Sequence, residues 1–285
     1  MTPRREPTVS QSSELRASRD GKPRAQFRKL HLINSLTRRE IEGKYRGSAL
    51  GLLWTMVTPL LMLGIYTFVF GTVFKSRWAT SSAEASPAEF AVILFTGLII
   101  YQFLSEPIGR APTLMLANIN YVKRVVFPLE ILVPVTIGTS LFHALVSFAI
   151  LLPFVYAVFG GIPLTALLLP LILAPLVLLV TGLCWFLASL GTYVRDINQI
   201  VATALTALLF LAPIFFPITA LPEWLQPWVA LNPLSVPVHL SREVLIFGQL
   251  PDFTMLGVYT AVSIVICAAG FLWFQRTRKG FADVL

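Results

Sequence analysis

Residues 131–194 read ILVPVTIGTSLFHALVSFAILLPFVYAVFGGIPLTALLLPLILAPLVLLVTGLCWFLASLGTYV, sixty-four positions without an Asp, Glu, Lys or Arg. As one helix at 1.5 Å per residue, this run would be about 96 Å long, roughly three times the thickness of a bilayer's hydrocarbon layer. It has to fold back on itself. Gly160-Gly161-Ile162-Pro163 marks the place, because two glycines and a proline suit a turn and resist a helix interior. Two antiparallel spans are therefore expected, at about 129–157 and 163–190.

Four more charge-free runs flank this pair, at 52–74, 90–105, 197–222 and 253–275. They predict spans at about 52–74, 89–107, 199–217 and 253–274, so the chain is expected to be an all-α membrane protein with six transmembrane helices. Composition agrees. Hydrophobic residues make up 56% of the 285 and charged ones only 13%, against roughly 25% charged in soluble domains.

An even number of spans puts both termini on one side, and the distribution of cations says which. Lys75, Arg77 and Arg242 fall on the side opposite the termini; the other 19 of the 22 Lys and Arg fall on the terminal side. Both termini are thus expected in the cytoplasm. The net charge of +8 is accounted for by this topology and by anionic lipid, which removes the reason to invoke nucleic acid.

The segments outside the spans divide into four. Residues 1–26 carry Pro3, Pro7, Gly21 and Pro23 among scattered polar residues, a pattern expected of a disordered cytosolic tail and not of a signal peptide. Residues 27–50 hold an amphipathic helix. Phe27, Leu30, Ile33, Leu36, Ile41 and Tyr45 share one half and Arg28, His31, Arg38, Arg39, Glu42 and Arg46 the other, so the apolar half can rest in the membrane interface. It is either a plain anchor or an anchor whose charged face meets a cytosolic partner. The six-span domain occupies 51–285.

Between the second and third spans, residues 118–128 mix Asn120, Tyr121, Val122 and Phe127 with Lys123 and Arg124. Simple connectors are shorter and more polar, so this element suits docking against protein or a seat among headgroups. The last outer loop, 218–252, is apolar yet rich in proline and carries Trp224 and Trp228. Short re-entrant helices covering a pathway mouth would satisfy it, as would Trp residues serving as ordinary interface anchors.

Several chemistries find no support. The Gly-Lys pairs Gly21-Lys22 and Gly43-Lys44 are followed by Pro23 and Tyr45, so neither belongs to a phosphate-binding loop. No span core carries a Lys, Arg, Asp or Glu of the kind that ion-coupled carriers place near the midplane. His143 lies deep in the third span, and a hydrogen bond between helices accounts for it better than a proton relay. Cys184 and Cys267 sit apart in apolar runs without His neighbours, and they read as small buried side chains with no metal role. The charged residues Glu106, Glu130, Arg195, Asp196, Glu223, Arg242 and Glu243 show no catalytic spacing.

The run from Arg39 through Glu42-Gly43-Lys44-Tyr45-Arg46-Gly47-Ser48-Ala49-Leu50-Gly51-Leu52-Leu53-Trp54 to Pro59-Leu60-Leu61-Met62 closely resembles the start of type-2 ABC transporter permeases that export polysaccharides such as O-antigen, capsule or teichoic acid. Tyr121 to Pro128, Tyr193-Val194-Arg195-Asp196-Ile197, Leu231-Asn232-Pro233-Leu234 and Gly280 to Leu285 extend the resemblance. It covers everything after about residue 26. Glu42 stands where the family often has Lys, and Thr58 where Asn commonly precedes the proline.

The resemblance implies the permease subunit of an ATP-driven exporter of lipid-linked polysaccharide in the bacterial inner membrane. It further implies a homodimer bound to two cytosolic nucleotide-binding subunits, with ATP and Mg on those partners and no cofactor on this chain. The docking surface would comprise Arg38, Arg39, Glu42, Arg46, Asn120, Tyr121, Lys123 and Arg124. Trp224, Trp228, Asn232 and Pro233 would form the outer gate. Sugars stack their C–H faces on aromatic rings, so Tyr66, Phe70, Phe74, Tyr101, Phe103, Phe210, Phe215 and Phe216 are candidates for a glycan path. Two competing readings are an exporter of a small molecule or lipid with the same topology and an intramembrane glycan-modifying enzyme.

Overall fold

The computed structural model describes residues 29–69, 86–123, 127–218 and 221–285. The expected tail at 1–26, together with Phe70, Phe74 and Arg124, lies outside the described residues. Among those described, the ordered elements are all helical.

An N-terminal helix, α1 (29–44), is followed by a turn and by α2 (Trp54–Tyr66). The inward stripe of α1, formed by Ile33, Leu36, Thr37, Glu40, Ile41 and Tyr45, is half-buried, and Arg38, Arg39, Glu42 and Arg46 face outward. Leu30 is left uncovered by protein, as an apolar side chain resting in the membrane interface would be.

The second span is α3 (Pro87–Arg110), started by Pro87 and by the Ser86 hydroxyl, which accepts from the Glu89 amide at 3.2 Å. Helical turns continue through α4 (Leu114–Ala117) and α5 (Ile119–Val122). α3 is the centre of the molecule, packed by α6 (Leu132–Phe159), α7 (Leu169–Tyr193), α8 (Ile197–Leu211) and α10 (Ser235–Arg242). The turn expected between α6 and α7 is present, with Gly160 closing α6 at a φ of 78°, a left-handed conformation that side chains disfavour. The last loop holds α9 (Gln226–Ala230) and α10, which widens into a π turn at Glu243–Phe247. Asp252 then caps α11 (Phe253–Thr277) by accepting from the Thr254 and Met255 amides, and α12 (Phe281–Val284) folds back at the end.

Among the described residues, five helices are long and apolar enough to cross a membrane: Gly51–Val69, Ala88–Ala117, Leu129–Phe159, Leu164–Tyr193 and Phe253–Gly280. The sixth, α8, is apolar but holds 15 residues, about 22 Å at 1.5 Å each. The apolar run predicts helix to about 217, yet Ala212 is already extended. The cause is Pro213, which lacks an amide hydrogen and pushes the residue before it out of the helical region. Phe215 and Phe216 stay apolar without staying helical.

α7 and α11 form the closest pair. A Cβ on Gly270 would sit 2.1 Å from the Gly182 carbonyl oxygen, and one on Gly182 would lie 2.6 Å from the Cys267 Cα. The two helices therefore touch backbone to backbone, the close approach that small residues give membrane helices.

Candidate coupling belt and outer mouth

Glu130 begins the third span with one carboxylate shared by distant parts of the chain. It accepts from Lys29 Nζ at 3.0 Å and from Arg278 Nη1 at 3.1 Å, so the described chain starts and finishes at one end of the bundle. Its backbone carbonyl also accepts from Trp185 Nε1 at 3.2 Å. Glu106, near the end of α3, accepts from Lys44 Nζ at 2.9 Å through one oxygen and meets His143 Nδ1 at 3.1 Å through the other. The far nitrogen of His143 lies 3.3 Å from the Tyr45 hydroxyl. A carboxylate at Nδ1 calls for a proton there, leaving Nε2 of the neutral ring to accept from Tyr45. Burial raises the Tyr45 pKa above its ordinary value, which keeps that donor neutral.

Two further contacts complete the belt. Arg110 pairs with Glu40 at 2.5 Å, and Thr37 Oγ1 reaches the Val135 carbonyl at 3.5 Å. Gly138 lets α1 this close to α6, since a Cβ there would sit 3.0 Å from Thr37. His143 thus bonds to groups on α3 and α1, as an interhelical histidine should. Glu106, Glu130, Arg110 and Lys44 are the residues that sequence reasoning missed as a set. Their partners lie 37 to 148 positions away, and no local periodicity links them.

The described members of the expected docking set, all but Arg124, lie around this belt. Arg38 donates to Glu42 at 2.8 Å, four residues on, and this carboxylate raises the guanidinium pKa. Arg46, Asn120 and Lys123 are exposed. Tyr121 stacks on Phe127 with ring centroids 4.4 Å apart. Arg39 and Tyr121 border one cavity of about 390 Å³ with Arg110 and Asn118, so α1 and the 118–128 element are neighbours. The C-terminal residues close the same end. Tyr193 donates to the Thr277 carbonyl at 2.9 Å and sets its ring against Phe281, which is fully buried.

The aromatic candidates for a path take different places. Phe210 and Phe215 stack at 6.1 Å, with Phe210 exposed and Phe216 half-buried. Tyr66 is partly buried against the core. Tyr101 donates to the Leu205 carbonyl at 3.2 Å and ties α3 to α8, whereas Phe103 is 4% exposed within the subunit core.

At the opposite end, side chains hold irregular backbone. Asn232 is buried; its Nδ2 donates to the Leu208 carbonyl at 3.3 Å and its Oδ1 accepts from the Leu234 amide at 3.0 Å. The Pro233 carbonyl accepts from Tyr259 at 2.9 Å. Trp224 and Trp228 are 72% and 69% exposed. Arg242, read from the sequence simply as an outer-loop charge, is buried. It donates to the carbonyls of Ile93 at 3.1 Å, Pro213 at 2.7 Å and Ile214 at 2.9 Å. Two of these carbonyls are the ones freed where α8 breaks. Gly97 makes room, because a Cβ there would lie 3.0 Å from Arg242 Nη2. A single arginine in a strongly apolar loop was the available signal.

Residues 31–246 match the family described as ABC-2 type transporter. The O-antigen export system permease protein RfbA of Myxococcus xanthus is 26% identical over 88% of this chain and 94% of its own length. Its namesake from Klebsiella pneumoniae is 23% identical over 89% and 95%. The polysialic acid transport protein KpsM of Escherichia coli is 26% identical over 87% and 93%.

Proposed function

We propose, from the premise that the chain belongs to the ABC-2 type transporter family, that it is the permease subunit of an ATP-driven exporter moving a lipid-linked polysaccharide such as an O-antigen across the bacterial inner membrane. The observation that carries this reading is the extent of the likeness: permeases named for O-antigen export and a protein named for polysialic acid transport align with nearly nine tenths of the chain. In this reading the chain is a transport subunit. ATP and Mg bind two cytosolic partners, and two copies of the chain form the path between them.

The belt supplies a route for force. Partners that close on ATP would press on the exposed Arg38, Arg39, Glu42 and Arg46 of α1 and on Asn120, Tyr121, Lys123 and Arg124. Through Lys44, Glu40 and Lys29, α1 is tied to Glu106, Arg110 and Glu130 at the ends of α3 and α6, so its displacement reaches the spans. ATP shifts the population of open and closed arrangements only if the partner binds them differently. The exposed Phe210 and its partner Phe215 on the α8 side suit a ring-lined path that grips each sugar weakly. Trp224 and Trp228, with Asn232 and Pro233, would lie at its outer mouth.

The test is ATP hydrolysis and labelled-glycan movement in vesicles holding the chain with its ATPase. Glycan should accumulate only with both ATP and the partner, and Lys123→Glu plus Arg124→Glu should abolish movement while the spans stay folded. Glycan movement without any ATPase would overturn the reading. Accumulation of a small molecule or lipid but no glycan would move the substrate to another class.

A further inference from the structure

α7 and α11 touch at Gly182 and Gly270 and part toward the end of the bundle that carries α9 and α10. The space between them is a groove of about 710 Å³, walled by Leu179, Leu183, Val258, Val262 and Ile266 and closed on one side by Pro233. That volume is typical of a ligand site. It shares its rim residues Asn232 and Pro233 with the proposed outer mouth, while the walls on α7 and α11 belong to none of the export machinery described above.

The groove has a definite depth. From Thr254 to Ile266, its extremes along α11, twelve helical steps cover roughly 18 Å, a little over half of a hydrocarbon layer about 30 Å thick. It is therefore one leaflet deep. Its walls are apolar and belong to two spans, so the medium that meets it is acyl chain and not water. Its polar end is equally specific. Asp252, exposed at the head of α11, uses one oxygen to cap the helix and stands at the groove's rim. A carboxylate there complements an ammonium.

We propose that this groove is a binding site for one membrane phospholipid of the leaflet opposite the termini, its acyl chain lying along Val258, Val262 and Ile266 and an amine-bearing headgroup facing Asp252. Acyl chain and bilayer are equally apolar, so selectivity comes from fit to the groove walls and from the headgroup contact. The site rests on the membrane-spanning reading and is independent of what the protein exports.

The experiment reconstitutes the chain with its ATPase in nanodiscs of equal phosphatidylethanolamine and phosphatidylglycerol, extracts it into mild detergent and counts retained lipids by mass spectrometry of the intact complex. One phospholipid per chain should remain, with phosphatidylethanolamine enriched about fivefold, the worth of one exposed ion pair. Val262→Trp, at a half-exposed position that tolerates bulk, should empty the groove. Asp252→Asn, which preserves the cap because Asn caps as well as Asp, should keep the lipid and lose the preference for the amine. Unchanged retention in Val262→Trp would overturn the site. So would retention of lipid-linked glycan in place of phospholipid, or a disulfide between two copies of Val258→Cys. An amine preference that survives Asp252→Asn would overturn the headgroup assignment.

Discussion

The two ends of the bundle are fastened by different chemistry. At the end holding α1, ion pairs between side chains tie distant parts of the chain together: Lys29 with Glu130, Lys44 with Glu106, Glu40 with Arg110. At the other end side chains meet backbone: Arg242 on three carbonyls, Asn232 on a carbonyl and an amide, Tyr259 on a carbonyl. Partly exposed ion pairs are worth little each and can be exchanged for water or for other partners. Buried backbone carbonyls have no such alternative, because in lipid each one left without a donor costs several kcal/mol. One end is therefore built to be remade during a cycle, and the other to hold non-helical chain at membrane depth.

The sharpest way to break this contrast is at Arg242. Arg242→Met strands the Pro213, Ile214 and Ile93 carbonyls, and the expected loss is about 3 to 5 kcal/mol, seen as failure to accumulate or as a steep fall in Tm in detergent. Gly270→Val comes next; it drives a side chain into the Gly182 backbone and should cost about 1 to 3 kcal/mol, read by the same unfolding measurement. Asn232→Ala removes two backbone contacts for an expected loss of about 2 kcal/mol.

The belt should answer differently. Glu106→Gln is expected to cost about 1 to 2 kcal/mol, less than Arg242→Met because its partner Lys44 stays half-exposed and can turn to water, yet to lower glycan moved per ATP hydrolysed. A double-mutant cycle with Lys44→Met isolates the pair. If Glu106→Gln unfolds the protein as Arg242→Met does, the contrast fails. The smallest effect belongs to Arg38→Ala, whose fully exposed pair with Glu42 should leave the unfolding transition unchanged. Raising salt should weaken coupling and spare the fold, since screening reaches exposed pairs first.

Much of the fold could be read from where charge is missing. The charge-free runs located the spans, and Gly160 to Pro163 located the reversal, because the cost of backbone in lipid allows few other arrangements. The helix period of α1 placed Ile33, Leu36, Ile41 and Tyr45 on its covered side and Arg38 and Arg39 on its open side. Hydropathy failed at α8, where Pro213 ends the helix inside a stretch that stays apolar. It also failed at Arg242, because a charge count records a cation without recording that three carbonyls surround it. The belt was invisible for a different reason: Glu106 meets Lys44 across 62 positions and His143 across 37, and such pairing exists only once the spans are assembled.

The carboxylate of Glu130 has a consequence for biosynthesis. Of its two cationic partners, Lys29 leaves the ribosome long before Glu130, and Arg278 well over a hundred residues after it. The helix that carries Lys29 must wait at the membrane through the insertion of every span before the second cation arrives. A nascent chain arrested ahead of Arg278 would carry the Lys29–Glu130 pair without its second cation and a Tyr193 ring without Phe281 against it. The arrival of Arg278 is thereby registered by the same side chain that joins the first described helix to the last span.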